Sequence, residues 1–196
     1  MQFHRTPLAD AFVVEIEPHS DERGFFARTW CAHEFAEAGL ASVVAQASMS
    51  RNAHKGTIRG MHLQLPPSRE AKLVRCTRGA IHDVIVDLRP ASPTYMSHFA
   101  AQLTAGACDA LYIPPLVAHG FQTLADDTDV LYQMSDVYAP ELGCGFRWDD
   151  PAFGIDWPIR APLTIIARDR TYPDFDPESH AARVRAATAI SLHEND

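Results

Sequence analysis

A short run of this chain combines side chains that can move a proton with side chains that can hold negative charge. Gly56-Thr57-Ile58-Arg59-Gly60-Met61-His62-Leu63-Gln64 carries an arginine and a histidine among glycines, and Lys72-Leu73-Val74 follows after a turn. Histidine exchanges a proton near neutral pH, while lysine and arginine hold anions. This mixture suits removal of a proton next to a carbonyl in an anionic substrate.

Strand alternation predicts that Ile58, Gly60, His62 and Gln64 share one face, with Arg59 on the other unless Gly60 marks a bulge or a close backbone approach. Glu70, Lys72, Val74 and Cys76 share a face of the next strand, and Val130, Tyr132 and Met134 share one later. Any one inward polar residue reads most simply as a satisfied core group. His62, Lys72, His119 and Tyr132 together read as the lining of a site.

The elements that would position them are mostly short strands. Phe12–Ile16 is predicted as a strand, Asp21-Glu22-Arg23-Gly24 as a turn and Phe25–Trp30 as a second strand. His33–Leu40 has helical composition and a stop at Gly39. Strands are then expected at Ser42–Ser48, Thr57–Gln64, Ala71–Thr77, Ala80–Leu88, His98–Leu103, Ala110–Ile113, Gly120–Leu124 and Val130–Met134. Turn residues such as Pro66-Pro67, Arg78-Gly79 and Pro114-Pro115 separate them. The expected class is all-β: one jelly-roll sandwich or barrel domain over 1–196, with a few short helices. The tract from Pro140 to Pro177 is expected to wrap irregularly, and Ser179–Leu192 to form a terminal helix or a frayed tail.

Composition narrows the function. The 196 residues carry 17 Lys and Arg against 25 Asp and Glu, a formal charge of −8. That balance argues against nucleic acid and acidic membranes as partners. Only Lys55 and Lys72 are lysines; the remaining 15 basic residues are arginines, whose forked geometry suits phosphate or carboxylate. Cys31, Cys76, Cys108 and Cys144 form no C-x-x-C pair and read as buried fillers in a reducing compartment. Without an apolar leader core or a membrane-length apolar run, a cytoplasmic location is expected.

Metal-binding jelly rolls often show His-x-His and a later histidine after a turn. Here the first half is His62-Leu63-Gln64, and glutamine is a poor metal ligand. A metal-free site is expected. G-x-S-x-G, P-loop and G-x-G-x-x-G motifs are absent, and Gly143-Cys144-Gly145 reads as a turn.

With these residues on the page, the chain resembles the dTDP-4-dehydrorhamnose 3,5-epimerase family of cupins from about Pro7 to Pro173. The resemblance rests on Asp21-x-Arg23-Gly24-x-Phe26, Arg59-Gly60-x-His62-x-Gln64, Lys72-Leu73-Val74-x-Cys76 and Asp83-Val84-x-Val86-Asp87-Leu88-Arg89. Ala118-His119-Gly120-Phe121, Tyr132, Tyr138-x-Pro140, Arg147-Trp148-x-Asp150-Pro151 and Ile155-x-Trp157-Pro158 complete it.

The resemblance implies His62 as general base, Asp169 as the carboxylate that orients it, Lys72 beside the sugar's C4 oxygen and Tyr132 as the acid on the opposite face. His119 would assist Lys72. Arg23, Arg59 and Arg168 match positions that contact the nucleotide diphosphate or sugar, and Gln46 matches a base contact. Ser48 and Arg28 fall at further substrate-binding positions, and Tyr138 is a sugar-stacking wall or substitute acid. By residue type alone, Asp169 sits in a charge run, Ala167-Arg168-Asp169-Arg170, and Asp83 and Asp87 are structural or adjust a neighbour's pKa.

The family pattern is altered at Arg28 and Gly143, where glutamates are usual, at Ala47-Ser48, and at Leu116, where glycine is usual. The implied activity is cofactor-free inversion of C3 and/or C5 in a nucleotide-linked 4-keto-6-deoxy sugar, by default dTDP-4-dehydro-6-deoxy-D-glucose. The alternatives are C3-only epimerisation, a GDP- or CDP-linked sugar, a non-catalytic sugar- or nucleotide-binding cupin and, more remotely, a metal-dependent enzyme. A homodimer with exchanged N-terminal strands is implied as well.

Overall fold

The computed structural model describes residues 1–193. Thirteen strands run in chain order: β1 Gln2–Arg5, β2 Phe12–Glu15, β3 His19–Asp21, β4 Gly24–Phe26, β5 Gln46–Asn52, β6 Ile58–Gln64, β7 Lys72–Arg78, β8 Ala80–Asp87, β9 His98–Thr104, β10 Ala110–Ile113, β11 Val117–Thr123, β12 Thr128–Met134 and β13 Gly143–Gly145. Three α-helices accompany them, α1 Ala32–Glu37, α2 Ala167–Arg170 and α3 Pro177–His193, with one 3-10 turn at Pro140–Leu142.

Six strands form one sheet in the order β1-β2-β10-β7-β12-β5, and five form a second in the order β13-β6-β11-β8-β9. The pairings within both sheets are antiparallel. The two sheets face each other as a jelly-roll sandwich. β3 and β4 form a separate two-stranded hairpin.

Apolar residues fill three layers. Between the sheets lie Val74, Cys76, Ile81, Ile85, Leu111 and Phe121. Outside the five-stranded sheet, Met61, Leu63, Val84 and Val86 pack under Phe146, Trp157 and Val184 of the C-terminal wrap and α3. Outside the six-stranded sheet, Val14, Leu73 and Tyr112 pack under Phe35 of α1. Central strands are thus covered on both faces, and β11 is buried at all seven positions, polar His119, Gln122 and Thr123 included.

Most predicted strands are present with ends shifted by one to four residues. β1 is absent from the sequence reading, because Phe3 is the one apolar residue in Gln2–Arg5 and the segment takes its place at a sheet edge by pairing with β2. The predicted strand Phe25–Trp30 is replaced by the short β4, and Ser42–Ser48 by β5 at Gln46–Asn52, which is fixed by pairing with β12. Helix α1 ends at Glu37, ahead of Gly39 at φ +73°. Gly143-Cys144-Gly145 is a strand rather than a bare turn, with Gly145 opposite His62.

Alternation fails at Gly60. The β6–β11 register shifts between His119↔His62 and Phe121↔Arg59, so one extra residue is accommodated in β6. Ile58, Met61 and Leu63 therefore turn outward to the wrap, while Arg59 and His62 both line the space between the sheets.

Gly60 has φ +128°, and a Cβ there would lie 2.5 Å from the Gly120 Cα. One on Gly120 would lie 2.6 Å from the Met61 sulfur and 2.9 Å from the Arg59 carbonyl oxygen. Only glycine permits that approach at both positions. Gly120→Ala is expected to lower stability in urea unfolding by more than about 1 kcal/mol. Gly106→Ala, where an added Cβ meets nothing, should stay within about 0.5 kcal/mol of the parent.

Candidate active site

At one end of the inter-sheet space the apolar filling gives way to polar side chains around a cavity of about 370 Å³. β6 supplies Arg59 and His62, and β11 supplies His119. β7 and β12 of the facing sheet supply Lys72 and Tyr132. α2, part of the C-terminal wrap, adds Arg168 and Asp169. The pairing His119↔His62 sets the two imidazoles side by side on one wall.

Asp169 comes from a segment that reads as a solvated charge run, yet it is 1% exposed. One carboxylate oxygen is 2.9 Å from His62 Nε2, and the other accepts the Gly60 N–H at 3.3 Å. Burial alone would raise the Asp169 pKa. The hydrogen bond and charge of His62, the Gly60 N–H and the Arg168 guanidinium outweigh it, and the carboxyl titrates below its ordinary value. It therefore stays ionised across neutral pH, and that state is lost only as pH falls through its lowered pKa. An ionised acceptor fixes the orientation of the imidazole.

Carboxylates stand behind two other cavity groups. Lys72 Nζ lies 2.7 Å from Glu70 Oε2, and His119 Nε2 lies 2.7 Å from Asp83 Oδ1. Arg59 differs: its Nε donates to the neutral Asn52 Oδ1 at 2.8 Å. Tyr132 sits edge-on to His119 with ring centroids 6.1 Å apart, its hydroxyl 3.5 Å from Ser50 Oγ. Burial pushes its pKa far above that of a free phenol, so the hydroxyl keeps its proton at neutral pH.

The remaining candidates divide. Tyr138 and Arg168 line an adjoining recess of about 400 Å³ that also reaches His62. Gln46 accepts the Tyr138 N–H at 3.1 Å and donates to Ser48 Oγ at 3.3 Å, which ties the β5 edge to that recess. Arg23 and Arg28 stand away from both spaces. Arg23 is on the β3–β4 hairpin paired with Asp21, and Arg28 holds Glu34 at 2.5 Å. Within one chain neither lines the cavity or the recess; Arg23 sits on a hairpin that pairs only with itself, and Arg28 follows it.

Sequence reasoning did not single out Glu70, Asn52 or Tyr172. Glu70 had a signal: it stands two residues before Lys72 on the same predicted face. Asp83 likewise shares an inward face with Ile81 and Ile85. Tyr172 had none, because its ring reaches Gly145 from the irregular wrap. Asp87 instead binds Arg89, Ser92 and Thr94, a structural role apart from the cavity. Among the described residues no group of three His, Cys, Asp or Glu side chains is arranged to hold a metal ion, and no helix is long and apolar enough to cross a membrane.

An antiparallel jelly roll with a histidine–aspartate pair, a lysine and a protonated tyrosine around one cavity is a cupin-type sandwich equipped for proton transfer. A family model described as dTDP-4-dehydrorhamnose 3,5-epimerase matches residues 5–177. A protein of that name from Sinorhizobium fredii is 38% identical over 177 residues, covering 88% of this chain and 89% of its own. A dTDP-4-dehydrorhamnose 3-epimerase from Streptomyces niveus is 38% identical over 167 residues, or 84% and 80% of the two chains. The crystal structure of the 3,5-epimerase from Bacillus anthracis, with TDP and PPi bound, superposes with a TM-score of 0.85 at 34% identity over 89% of this chain and 99% of that one. The chain belongs to the dTDP-4-dehydrorhamnose 3,5-epimerase family and is an isomerase.

Asp169→Asn keeps the shape of the side chain and removes its charge. It should lower kcat by about 10²- to 10⁴-fold, the range of a general acid–base contribution. Substrate KM should change only a few-fold, with the circular dichroism spectrum intact.

Proposed function

We propose that this protein epimerises dTDP-4-dehydro-6-deoxy-D-glucose at C3 and C5 to dTDP-4-dehydro-L-rhamnose. The observation that carries the reading is the placement of the proton-transfer groups on facing sheets: His62 with Asp169 on one side of a single cavity, Lys72 and Tyr132 on the other. A sugar ring lying between them meets a base on one face and an acid on the opposite face.

The chemistry follows from the parts. The C4 ketone acidifies the C–H bonds at C3 and C5, because the carbanion delocalises onto oxygen. His62 takes the proton, and its imidazolium is stabilised by Asp169. Lys72, with His119, receives the negative charge developing on the C4 oxygen. Tyr132 returns a proton from the other side, and the centre is inverted. Once His62 has passed its proton to solvent and Tyr132 has regained one, a second round at the other carbon completes the change, with no net gain or loss of electrons and no need for a cofactor.

Arg59 and Arg168 have the fork geometry for the diphosphate. Tyr138, Gln46 and Ser48 frame the recess beside them, which suits the nucleoside. Arg23 and Arg28 enter the reading only through assembly: in a homodimer with exchanged N-terminal strands, the β3–β4 hairpin of one chain would serve the neighbouring site. The exposed Phe25 and Phe26 of that hairpin support such a contact. A cytoplasmic enzyme is the corresponding location.

The relative named as a 3-epimerase is as similar to this chain as the 3,5-epimerase reported beside it, so inversion at C3 alone is the second reading. Proton NMR in D₂O separates the two. Loss of both the C3 and C5 signals from the dTDP-sugar is expected, loss of C3 alone would establish the 3-epimerase, and no exchange would overturn the assignment. Parallel tubes with GDP- and CDP-linked sugars test the carrier.

In Tyr132→Phe the base and the enolate-stabilising groups survive, so solvent exchange should continue while net inversion falls by about 10²-fold or more. His62→Ala should abolish exchange while still binding dTDP.

A further inference from the structure

Glu70 precedes β7 by two residues and stands 7% exposed. Its carboxylate lies 2.7 Å from the Lys72 ammonium, and the two side chains are 5% and 15% exposed respectively. A carboxylate this deep is costly unless a cation answers it. Lysine is a flexible four-carbon stem ending in a point charge with three donors, so its direction is set by what holds it. One donor turned to Glu70 leaves the other two free to face an incoming oxygen.

The support for Glu70 is itself fixed. Its N–H donates to Ser68 Oγ at 3.2 Å, and Ser68 Oγ donates to Asp136 Oδ2 at 2.9 Å. The Gln64 side-chain amide donates to the same hydroxyl at 3.4 Å, and its oxygen accepts the Ala139 N–H at 2.8 Å. The segment that aims Lys72 is therefore tied to the loop bearing Tyr138 and to the end of β6.

We propose that Glu70 is a positioning residue that acts through Lys72, holding the ammonium in the one direction in which it meets the oxygen of the developing enolate. The proposal rests on the role given to Lys72 above. The work is done by a hydrogen-bond acceptor at the right place, so an amide of the same length should serve almost as well as the carboxylate. A side chain without an acceptor should not.

The test uses the full-length protein and two readouts. In the dTDP-sugar exchange assay, Glu70→Ala should lower kcat by about 10- to 100-fold with KM within about three-fold, and Glu70→Gln should stay within about five-fold of the parent. In the Lys72→Met background, Glu70→Ala should cost nothing further, as expected of a residue that works only through another.

The second readout does not depend on the reaction. The chain has two lysines, Lys55 and Lys72, so ¹⁵N-lysine labelling gives two side-chain Nζ signals, and Lys55→Arg assigns them. The Lys72 signal should be sharp in the parent and in Glu70→Gln and exchange-broadened in Glu70→Ala. If the dTDP-sugar reading fails but the signals behave this way, the positioning of Lys72 by Glu70 stands by itself. Unchanged kcat and an unchanged Lys72 signal in Glu70→Ala would overturn the proposal. So would an additive loss in the Lys72→Met background, or a loss in Glu70→Gln as large as in Glu70→Ala.

Discussion

The arrangement of the site depends on how closely two backbones approach. Where β6 crosses β11, Gly60 and Gly120 meet with no room for a Cβ on either. A regular strand turns residues 59 and 62 to opposite faces. The extra residue accommodated at Gly60 turns both inward, and by the same step sends Ile58, Met61 and Leu63 out to the wrap. One local irregularity thus gives the cavity its arginine and its histidine and gives the outer layer three apolar anchors. The Gly60 N–H also reaches Asp169, so the irregular backbone helps hold the carboxylate that orients His62.

This constraint explains why the C-terminal wrap matters to chemistry. Asp169 stands on a four-residue helix that could not persist alone in water. It is held by what surrounds it: the backbone of Ile58 bonds that of Thr164, Phe146 exchanges two backbone bonds with Met61, and Tyr172 lies on Gly145. The wrap closes the outer face of the five-stranded sheet and in doing so delivers a carboxylate to its inner face. Packing and function use the same segment.

How much of this was legible in the sequence follows from the range of each interaction. Inward polar residues on regular strands were legible by period two, which is why Lys72 and Tyr132 fall where alternation puts them. His62 is found by type, and of the two arrangements that alternation leaves open around Gly60 the structure has the bulged one, which brings Arg59 to the face of His62. Asp169 was recoverable only through family resemblance. Its neighbours Arg168 and Arg170 advertise a solvated surface, while its burial is decided by residues more than a hundred positions earlier. The outer strand β1 escapes for a related reason: only Phe3 of its four residues is apolar, and pairing with β2 makes it a strand where propensity does not. The placement of Arg23 and Arg28 away from the cavity is a matter of topology, since a hairpin that pairs only with itself leaves no local mark of where its side chains end.

The charge pattern of the cavity ties these pieces together. His62, Lys72 and His119 each have a buried carboxylate behind them, Asp169, Glu70 and Asp83, whereas Arg59 is held by the neutral Asn52. Buried charges need such partners to exist at all, but the distribution also separates two tasks. Where the sugar is proposed to react, each base or cation already has one donor turned to an acceptor behind it, which fixes its direction. Extra stabilisation appears only when electron density moves onto an oxygen within reach of the unused donors, which is the condition for lowering a barrier rather than tightening a ground state. At the Arg59 side no ion pair with an acid is found among the described residues, which suits the guanidinium to the diphosphate contact proposed above. The proposed function thereby draws affinity from one end of the substrate and catalysis from the other.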